Sequence, residues 1–327
     1  MIRSLRLVLG LLAVAALPVL PAAAREVTVL TALHPLHAMT RALAEGTDIT
    51  VINLPERQIA MTSLGRALER DAKKLAPLFA RADAVVSLRS VWPEDPLYPR
   101  ARAANIRVVE IDAANPVGAS VGGVSLLPAP RSVAPWRDGG QGAGPEGPSP
   151  YVWMSLSNLQ RMAEIIAADL DRLAPDAQGR IDANLEAFKS RIRELRAQAD
   201  ARLLESTAAE VFVLSDQLDY LIADLGLFAS GHFTEQGAFW QPEDHIGFQA
   251  MLAGPDAPVV LHHWEPDPEV AADIDRAGAR LAVLDSLSMA GGDQIPPLTE
   301  DLAAMLETLF QAMNEAPDAA ADADRQD

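Results

Sequence analysis

Short runs of β-branched and apolar residues alternate with amphipathic helical segments along most of this chain of 327 residues. A strand that is apolar throughout is buried on both faces, and the helices between such strands cover those faces. The order is therefore typical of parallel α/β packing. In the first half the pattern predicts strands at 27–33, 49–54, 84–88 and 107–111, with helices at 37–44 and 64–80.

The same alternation resumes after residue 206, and a different kind of sequence separates the two series. Residues 128–150 are dense in proline and glycine, which predicts a mobile loop without a packed core. Two helical patterns follow at 157–173 and 177–204, and the second is longer than the average globular helix. Later strands are predicted at 211–214, 259–261 and 281–284, and helices at 218–224, 268–277 and 299–313.

The fold class that follows is α/β, with two parallel-sheet lobes joined by a long bridging α-helix. A chain of this length can form two separate cores. We expect the N-terminal lobe at 25–150, including the 128–150 loop, the helical segment at 151–206 and the C-terminal lobe at 207–315. The acidic Ala/Asp tail at 316–327 is expected to be disordered.

The N-terminus has the three-part pattern of a cleaved signal peptide over residues 1–24. Two arginines precede an apolar run at 7–20 that is short for a membrane span, and Ala22 and Ala24 are small residues that suit signal peptidase. An uncleaved anchor is the alternative. The pattern favours release into the periplasm without a stable membrane anchor. The absence of cysteine excludes a lipidated cysteine, disulfides and a thiolate metal site.

The formal net charge of −18 limits the possible partners. Nucleic acid binding requires a basic face, so a nucleic acid partner is excluded. A large net charge keeps a protein soluble, and a monomer is expected. The negative field attracts cations in general, but most of these carboxylates belong to a solvated surface. Charge alone therefore identifies no ligand.

Ligands of parallel sheets bind beyond the carboxyl ends of the strands, so the residues that follow each predicted strand are the first candidates. His34 follows the first strand, and Ser215 follows the first strand of the second series. His262 and His263 come after the next predicted strand, and Asp285 after the last. Adjacent residues that leave a strand point to opposite sides, so only one of the two adjacent histidines is expected to face inward.

Five passages together resemble the periplasmic solute-binding receptors of zinc and manganese ABC importers. Their order and spacing carry the resemblance, which covers nearly all of the chain after the signal segment. The passages are 31–36 (Thr-Ala-Leu-His-Pro-Leu), 79–86, 150–153 (Pro-Tyr-Val-Trp), 214–216 (Leu-Ser-Asp) and 279–287. The resemblance implies a transition-metal ion as the transported ligand, zinc by default with manganese, iron or copper as alternatives. It also implies an ABC permease with a cytoplasmic ATPase as partner.

Members of that family typically hold the metal with three histidines and a carboxylate, or with two histidines and two carboxylates. In the resemblance, Tyr151 and Ser215 stand where two of the histidines are expected, and Asp285 matches the final carboxylate. His263 falls at or next to a position that is often glutamate. His34 stands where the family often has tyrosine, and it could replace a missing imidazole. The 128–150 loop contains no histidine, although many zinc members have a histidine-rich loop there.

Each candidate ligand also has an alternative role. Imidazole suits zinc, copper and iron, but His262 and His263 could be a surface pair in a polar turn. Asp285 could cap the next turn instead of binding a metal. Tyr151 could cover the cleft as a packed ring, because a phenolate requires a strongly Lewis-acidic metal. His34 could equally be a metal ligand or a residue that does not bind the metal.

The leading interpretation is a receptor that captures a transition-metal ion between the lobes and delivers it to an ABC permease. The alternative is a divergent receptor for a metal chelate or a small anionic ligand, with Arg57 and Arg89 in the cleft. A metalloenzyme or metal chaperone using His34, His263 and Asp285 is a third interpretation. No nucleophile with a base and an orienting partner is recognisable, so binding without catalysis is expected.

Overall fold

The computed structural model describes residues 26–118, 121–130, 132, 134–137, 147–206, 210–253, 257–292 and 294–314. The predicted signal peptide and the predicted acidic tail lie outside the described residues. Within them, two four-stranded parallel sheets and a long helix form the framework. The predicted fold class is confirmed. None of the helices in these ranges has the length and apolar composition that crossing a membrane requires.

The first sheet forms the centre of the N-terminal lobe. Its two central strands, Val27–Thr31 and Ala84–Ser87, are buried along their whole length, as apolar strands covered on both faces require, whereas its two edge strands are partly exposed. The strands of this half are β1 (Val27–Thr31), β2 (Ile49–Asn53), β3 (Ile59–Ala60), β4 (Ala84–Ser87) and β5 (Val109–Asp112), and the helices are α1 (His34–Leu43), α2 (Leu64–Arg70), α3 (Ala72–Arg81) and α4 (Leu97–Ala104). The sheet order is β2-β1-β4-β5, with all pairs parallel.

The single helix predicted at 64–80 is wrong, because the chain leaves helical geometry at Asp71 and starts α3 directly after it. Aspartate has a low helix propensity, since its side chain competes for nearby hydrogen bonds. Arg70 donates two hydrogen bonds to the Asp71 carboxylate, at 2.9 and 2.8 Å. The periodicity of the apolar residues continues across this break, which is why the sequence pattern did not reveal it.

Two long helices lead from one lobe to the other. These are α5 (Leu156–Leu173) and α6 (Gln178–Glu205), of which α6 has 28 residues and a length of about 42 Å. The buried residues of α6 recur every three to seven positions and form one stripe. They are Ile181, Phe188, Ile192, Leu195 and Ala199. Because α6 packs against α5 and α1, the bridge is part of the core.

The second sheet has the same architecture. Its half contains β6 (Glu210–Val213), β7 (Phe228–His232), β8 (Val259–His262), β9 (Leu281–Val283) and β10 (Met289–Ala290), with α7 (Asp219–Leu225), α8 (Pro242–Leu252), α9 (Pro268–Ala277) and α10 (Leu298–Asn314). The sheet order is β7-β6-β8-β9, again parallel. Antiparallel pairing of β10 with β3 links the two halves a second time, and α10 packs on α1 and α6.

The prediction that the 128–150 loop has no packed core is wrong for its described residues 134–137. Trp136 stacks on Phe212 with ring centroids 5.9 Å apart and also contacts Phe233 and Phe248. Its indole donates to Asp244, and a Cβ on Gly247 would overlap the ring. Aromatic contacts of this kind offset the entropy cost of ordering a loop. The loop is therefore anchored to the C-terminal lobe.

Candidate functional site

The C-terminal sheet has a topological switch point between β6 and β8. From β6 the chain continues to β7 on one side of it, and then crosses to β8 on the other side. The loops after β6 and β8 therefore diverge, and such a crevice is where open parallel sheets bind ligands. A cavity of about 540 Å³ lies there, lined by the residues after both strands, with Thr62 contributed by the N-terminal lobe and Tyr151 by the start of the helical segment.

Both adjacent histidines line this cavity, so the expectation that only one faces inward is wrong. The rings of His262 and His263 are nearly parallel, with centroids 5.2 Å apart and planes inclined by 10°. The reason is that β8 ends at His262, and side-chain alternation holds only within a strand. The turn that follows is closed by a hydrogen bond from the Trp264 N–H to His262 Nδ1, at 3.2 Å.

Both imidazoles are neutral at physiological pH, because burial lowers their pKa values. The pKa of His262 falls to about 4, although Asp267 and the bond from Trp264 act in the opposite direction. The pKa of His263 falls to about 3, through burial and the proximity of His262. A neutral imidazole has a free lone pair, which is the form that binds metals.

One nitrogen of His263 lacks a hydrogen-bond partner within the described part of the chain. Its Nε2 lies 3.0 Å from the amide nitrogen of Gln217, whereas the buried Nδ1 has no partner. An unpaired buried polar atom costs about 1–3 kcal/mol, so such an atom indicates a ligand or water. With the Gln217 amide rotated, Nε2–H would donate to its oxygen and leave the Nδ1 lone pair free for a metal.

Tyr151 and Ser215 belong to the same cavity wall. The Tyr151 ring meets Trp153 edge-on at 5.5 Å, and burial together with the charge of Asp216 raises the pKa of its phenol. Tyr151 therefore keeps its proton unless a strongly Lewis-acidic metal displaces it. Ser215 is fully buried, and its Oγ accepts a hydrogen bond from the Gln217 N–H at 3.1 Å.

Asp285 and His34 lie outside the lining of this cavity. Asp285 is exposed, and its Oδ1 accepts a hydrogen bond from the Leu287 N–H at 2.8 Å, where Leu287 has a left-handed φ of 56°. His34 begins α1 and is only 7% exposed. Its Nε2 lies 2.9 Å from Asp301 Oδ2, on α10. Burial raises the pKa of Asp301, as does the charge of Asp285, while His34 lowers it.

Gln217 connects the two groups of candidates. Its amide nitrogen contacts His263 Nε2, and its oxygen accepts a hydrogen bond from Ser286 Oγ at 2.5 Å. Ser286 directly follows Asp285, and its carbonyl accepts from the Trp153 indole at 2.8 Å. Gln217 therefore stands between His263 and the loop that carries Asp285. Across the ranges that the structure describes, no three His, Asp or Glu side chains converge on one metal position.

Residues 29–316 match the family described as zinc-uptake complex component A, periplasmic. The chain belongs to this family. The resemblance found in the sequence is thereby confirmed, and the family is one of solute-binding proteins, not of enzymes. No curated protein sequence matches the chain.

Solved structures with the fold of this zinc-uptake family member include FpvC and ZnuA. A mutant of FpvC from Pseudomonas aeruginosa is 22% identical, with 88% of this chain and 98% of that chain covered and a TM-score of 0.68. FpvC in complex with Mn²⁺ is also 22% identical, over 88% and 99% of the two chains, with a TM-score of 0.64. ZnuA is 18% identical over 89% and 100%, with a TM-score of 0.63. At these identities the likeness shows the shared fold.

The cavity residues that were not recognised from the sequence include Gln217, Trp264 and Asp267. The signal that could have identified them is their place in the loops that follow β6 and β8, two to five residues after each strand. Arg57 and Arg89, which were candidates for the cleft, do not line the cavity. Arg89 instead pairs with Glu110 at 3.3 Å and lies over the Tyr98 ring.

Proposed function

We propose that this family member is the periplasmic solute-binding component of a transition-metal ABC importer. It captures the metal ion in the cavity at the β6–β8 switch point and delivers it to an ABC permease driven by a cytoplasmic ATPase. The observation that carries the proposal is the pair of neutral imidazoles, His262 and His263, on the wall of that cavity. Zinc is the default ion, and manganese, iron and copper are the alternatives.

The nitrogen positions support this assignment. His263 Nδ1 is buried without a partner, so its lone pair is available to an ion. His262 Nδ1 accepts a hydrogen bond from the Trp264 N–H, which places the proton of the neutral ring on Nε2. His262 would therefore bind an ion through Nδ1, in exchange for the Trp264 hydrogen bond. Nitrogen donors suit zinc, copper and iron better than they suit the harder cations. Zinc commonly has four ligands, so a bound ion would add oxygen donors. The hydroxyl groups of Tyr151 and Ser215, on the same wall, are candidate donors.

Asp285 and His34 remain the other proposed ligands of the ion. Asp285 would reach it only if the Gln217 bridge between His263 and Ser286 opens. His34 would additionally have to exchange its contact with Asp301 for the metal. Both changes require lost hydrogen bonds to be replaced by metal bonds. The geometry therefore favours His262 and His263 as the primary ligands.

The second candidate function is a receptor for a metal chelate, and the size of the cavity favours it. A volume of about 540 Å³ lies within the range of small-molecule sites and far exceeds what one ion occupies. An anionic chelate is disfavoured, because none of the described lining residues is an arginine or lysine.

The test is titration of the metal-free protein, residues 25–327, with Zn²⁺, Mn²⁺, Fe²⁺ and Cu²⁺, followed by calorimetry and by thermal unfolding. A ligand of the native state raises the unfolding midpoint. We expect a one-to-one complex that the His262→Ala/His263→Ala variant loses. His232→Ala is the matched control, since His232 pairs with Asp219 at 3.1 Å and does not line the cavity. If no metal shifts the midpoint, the proposal is wrong.

Delivery requires a separate measurement. We expect the metal-loaded protein to stimulate ATP hydrolysis by its permease reconstituted in liposomes, and the His262→Ala/His263→Ala variant to stimulate it no more than metal-free protein does. Equal stimulation by the wild type and this variant would contradict delivery from this cavity.

A further inference from the structure

The cavity at the β6–β8 switch point has a wall of carboxylates and aromatic rings. Asp216 and Asp267 contribute carboxylates from the loops after β6 and β8, and no arginine or lysine is present among the described lining residues. A third acid, Glu235, also lines the cavity, but it pairs with Arg137 at 3.1 Å. The wall therefore carries negative charge that the neutral imidazoles of His262 and His263 do not balance.

Neither Asp216 nor Asp267 has a basic partner in the ranges covered by the structure. Asp267 is held in place by the Ala238 N–H, which donates to its Oδ2 at 3.0 Å. Asp216 is close enough to Tyr151 for its charge to act on the phenol. Both residues are exposed, so a cation that enters the cavity meets two unpaired carboxylates without first breaking an ion pair.

Aromatic faces accompany these carboxylates. Tyr151, Trp240 and Trp264 all line the cavity. Trp264 is 53% exposed, which is unusual for so large an apolar side chain, and its ring centroid lies 3.7 Å from that of His263. Cations of organic size are attracted to the faces of tryptophan and tyrosine.

We propose that the solute of this cavity is a positively charged species larger than a bare ion, either an organic amine or a metal complex of net positive charge. Asp216 and Asp267 hold it by charge-assisted hydrogen bonds, and the Trp264 face covers it. This inference rests on the proposed function in one respect, namely that the cavity is the solute site. It excludes the small anionic ligand considered from the sequence.

Hexaamminecobalt(III) is a suitable probe, because its ammine ligands do not exchange and histidines cannot coordinate the metal. Spermidine is the organic probe, zinc citrate the anionic one and Zn²⁺ the bare ion, each titrated calorimetrically at about 150 mM salt to screen exposed charges. We expect hexaamminecobalt(III), spermidine or both to bind one-to-one, and zinc citrate not to bind.

Three variants each remove one negative charge from the cavity wall and so form a matched set. Asp216→Asn and Asp267→Asn should each weaken binding of the cationic probe about tenfold, whereas Glu235→Gln should change it less than about twofold. Asp216→Glu keeps the charge and should retain most of the affinity. Unfolding midpoints of all four variants verify that the native fold is present.

The outcomes separate this inference from the proposed function. Zn²⁺ binding through the two histidines, with no one-to-one binding of either cationic probe, overturns the inference and leaves the metal-receptor proposal intact. Weak binding at many sites, equal in all three charge-removing variants, also overturns it. Probe binding that requires Asp216 and Asp267, without any Zn²⁺ binding, supports the inference and overturns capture of a free ion. If only the cobalt complex binds, the solute is a metal complex. If only spermidine binds, the solute is an organic amine.

Discussion

Two pairs of histidines follow strand ends in this molecule, and they differ in what their nitrogens contact. In the N-terminal lobe, His34 Nε2 meets Asp301 and His37 Nδ1 meets Thr31 Oγ1, both at 2.9 Å. In the C-terminal lobe, His262 and His263 face a cavity, and His263 Nδ1 has no partner among the described residues. A position after a strand brings a histidine to the ligand-binding edge of a sheet, while its hydrogen-bond partners decide its role.

The first pair includes a contact between the two ends of the chain. His34 lies on α1 and Asp301 on α10, so their contact joins the C-terminal helix to the N-terminal lobe. The second pair contacts Gln217 and the Trp264 N–H at one nitrogen each, which orients the rings. His263 Nδ1 is left available, whereas His262 Nδ1 would have to exchange the Trp264 hydrogen bond for an ion, because Nε2 of the neutral ring carries the proton. Metal-binding histidines commonly donate their other ring N–H to an acceptor, and with its amide rotated Gln217 would accept from His263 Nε2–H in this way.

The largest expected effect distinguishes the two pairs by metal affinity. His262→Ala/His263→Ala should weaken Zn²⁺ binding by at least about a thousandfold, or about 4 kcal/mol, because it removes both imidazole ligands. His34→Ala should change the affinity less than about threefold. Calorimetric titration of the wild type and of the two variants with Zn²⁺ measures these affinities. A large loss in His34→Ala would instead show that the contact with Asp301 breaks when the ion binds.

Acid should destabilise the metal-free protein through the buried neutral histidines. Burial lowers the pKa of His37 from 6.5 to about 4, with Arg41 and His34 adding to the effect. Between pH 4 and pH 6.5 the unfolded chain binds more protons than the folded protein does. The contribution of His37 to the free energy of unfolding is therefore complete above pH 6.5 and is lost as the pH falls to about 4. For His37 it amounts to up to about 3 kcal/mol.

Urea unfolding between pH 7 and pH 4 measures this loss. His37→Asn, which cannot titrate in this range, should have a shallower dependence of unfolding free energy on pH than the wild type. An unchanged slope would mean that His37 is already protonated in the folded protein.

Stability should respond to the N-terminal pair more than to the C-terminal pair. His34→Ala leaves the partly buried Asp301 carboxylate without its partner, which should lower the free energy of unfolding by about 2 kcal/mol. His263→Ala removes a ring that already has an unsatisfied nitrogen, so its cost should be smaller. A double-mutant cycle with Asp301→Ala isolates the pair. Equal losses of unfolding free energy in His34→Ala and His263→Ala would show that the two histidine pairs do not differ in their contribution to stability.

The smallest effect concerns the residue between His263 and the Asp285 loop. Gln217→Glu places a carboxylate about 3 Å from His263 Nε2. It should tighten Zn²⁺ binding about tenfold, either as a ligand or as the acceptor that orients the ring. Gln217→Ala, which removes the bridge without adding charge, is the control. Weaker Zn²⁺ binding in Gln217→Glu would show that the neutral bridge itself is needed.

The framework could be predicted from the sequence because each element carries its own periodicity. The predicted helix at 268–277 coincides with α9, and the observed α6 differs from its prediction by one residue at each end. Strand β7 (Phe228–His232) was missed, since it is a half-exposed edge strand containing Ser230 and Gly231, which are poor strand signals. Packing of Trp136 was missed because its aromatic partners are distant in sequence.

The site could be predicted only in part, for a related reason. That His262, His263 and Ser215 lie at the cavity could be predicted, because the ends of parallel strands can be located from the strands themselves. The roles of Gln217 and Asp301 depend on contacts across 46 and 267 residues, which no local pattern contains. The same long-range contact gives His34 its partner.

The most direct test of the metal-receptor proposal is a crystal structure of the Zn²⁺-loaded protein with anomalous data collected at the zinc absorption edge. We expect one strong peak in the cavity, at about 2.0–2.1 Å from His262 Nδ1 and His263 Nδ1, with the His34 contact to Asp301 intact. A peak bound by His34 or Asp285, with the cavity histidines unchanged, would contradict the account.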